Sequence, residues 1–129
     1  MSYVFLPKVT SVPISAFSKS GVETVDLPAA ETIQNAAFQA CKKLKEIKIP
    51  VCTSILDRAF DNCSALKKIF LDGVTAVPTI GTNALTGTPD TMKIIVPDAL
   101  VDSFKTATNW STYADKIIGV SEYEATQAQ

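Results

Sequence analysis

Histidine is absent from this 129-residue sequence, which removes the commonest general base of nucleophilic catalysis and the commonest transition-metal ligand together. Cysteine is scarce. Cys41, Cys52 and Cys63 are the only three, an odd count with no CxxC, which fits reduced, buried thiols rather than a disulfide framework or a zinc site with ligands in close pairs. Neither sign of charge dominates: 12 Lys plus Arg face 13 Asp plus Glu, so no overall field draws in nucleic acid or an anionic membrane. No apolar run approaches the roughly 20 residues that span a bilayer, and membrane insertion is not expected. Residues Met1 to Lys8 lack a basic segment followed by a long apolar one. That points to a cytoplasmic or virion-associated chain, or to the cell surface if a leader has been lost. The five glycines, Gly21, Gly73, Gly81, Gly87 and Gly119, form neither GxxxxGK nor GxGxxG; they read as turn residues and not as a phosphate cradle. No catalytic residue, cofactor or metal is expected. Asn62-Cys63-Ser64 and Asn109-Trp110-Ser111 match the glycosylation triplet, a pattern short enough to arise by chance.

What the chain does have is an internal repeat. Ala37-Phe38, Cys41, Leu44, Ile47, Ile49 and Pro50 recur at the same spacings as Ala59-Phe60, Cys63, Leu66, Ile69, Leu71 and Asp72, a period of 22 residues. One unit earlier, Ala16-Phe17, Val22, Val25, Leu27 and Pro28 fit after a one-residue deletion. One unit later, Ala84-Leu85, Met92, Ile94, Val96 and Pro97 fit after a three-residue insertion. Val12, Ile33, Ile55 and Ile80 stand at a fixed distance before each pair. Such a period signals stacked coils, each burying its apolar side only against its neighbours. The expected coil has a short strand on one side (Lys45 to Ile49, Lys67 to Leu71) and a tight turn holding the Ala-Phe pair on the other.

Alternation along the strands sends Ile47, Ile49, Ile69 and Leu71 inward, and proline ends them because it cannot donate to a ladder. The outward positions form two ladders: Tyr3, Thr24, Glu46, Lys68, Lys93, and Phe5, Asp26, Lys48, Phe70, Ile95. Glu46 beside Lys68 and Asp26 beside Lys48 give the opposite-charge pairing of a solvated sheet face. The lysines at 42, 43, 45, 48, 67 and 68 therefore do not read as a nucleic-acid site. Phe5, Phe70 and Ile95 are large apolar groups at outward positions, and two arrangements account for Phe70 and Ile95: a flanking loop or the C-terminal tail covers them, or they meet a partner.

The pattern A-F-x-x-C-x-x-L-x-x-I-x-I-P, with I-x-x-x-A-F upstream as in Ile33 to Phe38, resembles the BspA-like leucine-rich repeat, and the likeness covers Val12 to Pro97. Ser20 and Thr88 stand where the pattern has Cys, and Leu85 where it has Phe. The fold class implied is an α/β repeat, a short leucine-rich-repeat solenoid of about four to five coils over residues 1–97, with parallel strands on one face. Residues 98–120 form a C-terminal helical cap and 121–129 a polar tail. Asp98 and Asp102 favour the cap helix start, Leu100, Val101, Phe104 and Ala107 give its apolar side, and Trp110, Tyr113 and Ile117 close the core.

Members of such a family are mostly bacterial surface or secreted proteins, others coming from protists and phages. The resemblance thus implies a non-enzymatic module for recognition or adhesion that contacts a protein partner or a surface glycan. The alternative is a structural component of a larger assembly such as a phage particle, with the chain as a homo-oligomer or one member of a multi-protein complex. The partner-binding residues expected from the ladders are Tyr3, Phe5, Lys48, Lys68, Phe70, Lys93 and Ile95.

Overall fold

The 22-residue period becomes two parallel ladders in the computed structural model, which describes residues 2–127; Met1 and the last two residues of the expected tail lie outside it. Four coils each contribute one strand to each ladder: β1 (Tyr3–Phe5) and β2 (Ser11–Val12), β3 (Thr24–Asp26) and β4 (Thr32–Ile33), β5 (Glu46–Lys48) and β6 (Ser54–Ile55), β7 (Lys68–Phe70) and β8 (Thr79–Ile80). Next comes β9 (Lys93–Val96), followed by a 3-10 turn (Asp98–Leu100), α1 (Val101–Thr106), a second 3-10 stretch (Ser111–Lys116), β10 (Ile117–Gly119) and α2 (Val120–Gln127). The larger sheet runs β1-β3-β5-β7-β9-β10 and the smaller β2-β4-β6-β8, all pairs parallel.

Strand register follows the repeat residue for residue. Tyr3, Thr24, Glu46, Lys68 and Lys93 align, as do Phe5, Asp26, Lys48, Phe70 and Ile95. Between these rows, Val25, Ile47, Ile69 and Ile94 point into the core. The smaller sheet is an addition to the expected architecture. Its two-residue strands carry Val12, Ile33, Ile55 and Ile80 inward, so the apolar residue placed before each Ala-Phe pair is a strand position and not part of a turn.

The Ala-Phe turn is also laddered. The amides of Phe17, Phe38 and Phe60 donate to the carbonyls of Ala37, Ala59 and Ala84, each at 2.8 Å. Backbone of positive φ flanks the pair: Ser15, Ala36 and Arg58 before it, and Lys19, Ala40, Asn62 and Gly87 after it. Only one of these seven is glycine, so the stacking of neighbouring turns holds left-handed residues that resist that conformation by roughly 1–2 kcal/mol each. Phe17, Phe38 and Phe60 stack face to face at centroid distances of 5.1 and 5.5 Å, and Leu85 continues the column, buried like Phe38 and Phe60.

The cysteine position has a bonding role. The Cys41 thiol donates to the Phe17 carbonyl at 2.9 Å and the Cys63 thiol to the Phe38 carbonyl at 3.0 Å, each reaching back one coil. Ser20, on the first coil, bonds locally instead; its hydroxyl accepts the Val22 amide. Thr88 donates to Leu85 within its own turn.

Past Pro97 the apolar residues seat as expected: Phe104, Trp110 and Ile117 are buried and Leu100, Val101, Ala107 and Tyr113 pack against the core. Trp110 meets Phe104 edge to face at 5.0 Å and its indole N–H donates to the Pro78 carbonyl at 2.7 Å. Two features differ from the sequence reading. The cap ends in β10, which extends the large sheet by pairing Ile117, Ile118 and Gly119 with Ile94, Ile95 and Val96. Residues 121–127, expected as part of a polar tail, lie in the helix α2, which begins at Val120, the last residue of the expected cap. The Asp98 carboxylate accepts both the hydroxyl and the backbone N–H of Ser121, the latter at 3.0 Å, and so satisfies an orphan amide of the first turn of α2.

Candidate interaction surface

The outer face of the large sheet and the exposed side of the first coil carry the residues singled out by register, and the structure treats the two regions differently. At the first coil, Tyr3 is 60% exposed, Phe5 52%, Leu6 36% and Ile14 66%. These are four of the five exposed large apolar side chains among the described residues, Val51 being the fifth. Leu6 and Ile14 escaped the sequence reading, because neither sits at a strand position; the signal available was their place in the first of the repeated coils. β1 and β2 are the first strands of their sheets, so among the described residues one edge of each lacks a strand partner. The inward Val4, Val9 and Phe17 remain only partly buried for the same reason. From Ser2 to Ser20 the chain has just two charged residues, Lys8 and Lys19, and depletion of charge is a mark of interface cores. The Tyr3 hydroxyl bonds to the Asp26 carboxylate at 3.3 Å. Partial desolvation and that carboxylate raise its pKa.

At the other end of the same face the chain covers itself. Ile95 is buried at 1% although it lies outside the inner core, on the row facing away from it. Ile118 stands beside it across the β9–β10 pair, and α2 packs against both strands. Phe70 is half-buried, with the ring of Tyr123 edge-on at 5.5 Å. Of the two arrangements left open for Phe70 and Ile95, the C-terminal segment is the cover that the structure contains, and Ile95 is thereby removed from solvent. The expected charge pairs are altered too. Glu46 and Lys68, like Asp26 and Lys48, are cross-strand neighbours, yet Lys68 donates to the Tyr123 hydroxyl at 3.0 Å and sits 5.2 Å from its ring centroid. Lys48 lies over the Phe70 ring at 5.6 Å. An ammonium over an aromatic face is favourable by about 0.5–1 kcal/mol at exposed sites. Lys93 is exposed on the same row as Lys68.

The remaining lysines lie elsewhere. Lys42, Lys43 and Lys45, with Lys19, line adjoining clefts of about 630 and 350 Å³ beside Gly21, and Lys45 pairs with Glu23 at 3.7 Å. The three cysteines are buried and free. Burial pushes the Cys52 thiol up to about 11, and the neighbouring Cys41 sulfur together with burial pushes Cys63 well above the ordinary thiol value. Both stay protonated and unreactive at neutral pH. Among the described residues no three acidic or cysteine side chains converge to hold a metal ion, and no helix is long and apolar enough to cross a membrane.

The decisive comparison concerns the repeat. The model of the BspA type leucine rich repeat region matches residues 1–112 in six copies. The chain belongs to this family. The match to BspA-type repeats continues past Pro97 into the segment that holds α1 and Trp110, so the cap is continuous with the repeat array in sequence as well as through β10. None of the curated proteins compared with the chain matches it. Membership makes this repeat stack a protein-interaction module in kind, of a family that is typically non-enzymatic.

Proposed function

We propose that this repeat stack docks a protein partner through the open side of its first coil, with the lysine-and-aromatic row of the strand face as a second contact. The observation that carries the reading is the concentration of exposed Tyr3, Phe5, Leu6 and Ile14 on a coil whose two strands each have, among the described residues, an unpaired edge. Free strand edges accept another chain's backbone, and this favours a polypeptide over a surface glycan as the partner there. The same edges support the chain's use as a building block: a second copy can place its β1 antiparallel to this one across a two-fold axis, which closes the assembly.

The test is light scattering across a concentration series for the wild type and for the double substitution Tyr3→Ser, Phe5→Lys. The wild type should associate, while the double variant remains monomeric with an unchanged melting temperature. A wild type that is monomeric at every concentration, or a double variant that associates equally well, overturns edge pairing at the first coil.

A further inference from the structure

α2 is an unusual helix to find docked. Its eight residues, Val120–Gln127, include none that is buried, and a helix of this length does not persist alone in water. Two anchors hold it: Ser121 on the Asp98 carboxylate, and Tyr123 on Phe70 and Lys68. Tyr123 stands between Glu122 and Glu124. The face it occupies presents Lys48, Lys68 and Lys93 around Phe70, with Glu46 beside Lys68 and Asp26 beside Lys48 further along the rows. The aromatic group supplies an edge to the Phe70 ring and a hydroxyl to an ammonium, while its flanking carboxylates are opposite in sign to the lysines. The chain therefore holds, in cis, a sample of what this face accepts.

We infer that the strand face at Lys48, Lys68 and Phe70 is a binding site for a tyrosine flanked by acidic residues on another protein, and that α2 fills it as an internal ligand that such a segment displaces. This rests on the reading of the chain as a protein-binding module and names the partner chemistry of its second contact. Opposite charge supplies attraction and sign discrimination; the aromatic pair supplies the geometry. Displacement is feasible because α2 buries no side chain of its own and is retained by few contacts. Ile95, buried beneath it, becomes the apolar floor available to an incoming side chain.

A labelled peptide with the sequence of residues 120–127 tests this by fluorescence anisotropy against the full-length chain. Tyr123→Ala vacates the site, and the variant should bind the peptide about tenfold more tightly than the wild type, whose site is mostly occupied in cis. The same peptide with alanine for its tyrosine should not bind, and adding Phe70→Ser to the Tyr123→Ala chain should abolish binding. Asp98→Asn, which loosens α2 from its other anchor, should act in the same direction and serves if Tyr123→Ala melts early. Equal affinity of the wild type and both variants, or equal binding of the tyrosine-free peptide, overturns the proposal. Association at the first coil is read separately through Tyr3 and Phe5, so either surface can fail without the other.

Discussion

At the scale of single residues, the repeat shows how one position can serve packing and backbone satisfaction together. Phe60 lies between Phe38 and Leu85 in a fully buried column, and its amide closes a turn ladder. Phe60→Ala should cost about 3–5 kcal/mol, read as a fall in melting temperature or denaturant midpoint; an unchanged midpoint would contradict the column. The repeat register alone placed this residue, because six positions recur together and only stacked coils make such a set useful. The left-handed turns were not legible, since Ala36, Ala40 and Arg58 have no preference for positive φ and adopt it only under tertiary constraint. Cys52 permits a pH argument. Its thiol is raised from 9.0 to about 11 by burial, so from about pH 9 to 11 the unfolded chain gives up a proton that the folded one keeps. Stability is fully present below that window and falls as pH rises through it, by about 1.4 kcal/mol per pH unit for this one group. Urea midpoints from pH 8 to 11 should therefore drop less steeply in Cys52→Ala than in the wild type; parallel slopes would count against the shift.

At the scale of elements, what could be read from sequence depended on length and pattern. The five long-row strands were readable through alternation and register, and the pairing Tyr3 to Lys93 and Phe5 to Ile95 follows from them. The smaller sheet was not readable as strands, because Ser11–Val12, Thr32–Ile33, Ser54–Ile55 and Thr79–Ile80 are two residues each and two residues cannot show a period. β10 was likewise hidden in a cap read as helical. α2 is a polar helix with no apolar stripe, so its existence depends on Asp98 and Phe70, far away in sequence. Burial of Ile95 followed from that missing element. Trp110, by contrast, joins cap to solenoid through a bond that can be removed cleanly. Trp110→Phe keeps the aromatic contact with Phe104 but leaves the Pro78 carbonyl without its 2.7 Å donor. The expected loss is about 1–3 kcal/mol, measurable by chemical denaturation, and a neutral result would mean water replaces the indole without penalty.

At the scale of the whole molecule, stability in a stacked repeat is a sum of coil and nearest-neighbour terms, so the two ends need not be equal. The C-terminal end is capped: α1 and α2 pack against β10, the last strand of the large sheet, and Phe104, Trp110 and Ile117 complete the core. Among the described residues the first coil has a neighbour on one side, its Val4, Val9 and Phe17 are only partly buried, and its strands are the first of their sheets. Opening it exposes less apolar surface than opening any interior coil, and local opening free energy follows that surface. Amide hydrogen exchange should therefore be fastest for bonded amides tied to the first coil, such as Thr24 on Ser2, and slowest in β5 and β7. The amide of Phe38, bonded to Ala59 in the interior, provides the internal standard. If the first coil docks a second copy, the ratio of the two rates should narrow as protein concentration rises, because the added strand supplies the missing neighbour. Uniform exchange along the solenoid would contradict the asymmetry itself. A steep gradient that ignores concentration would leave the asymmetry standing and remove self-association as its consequence.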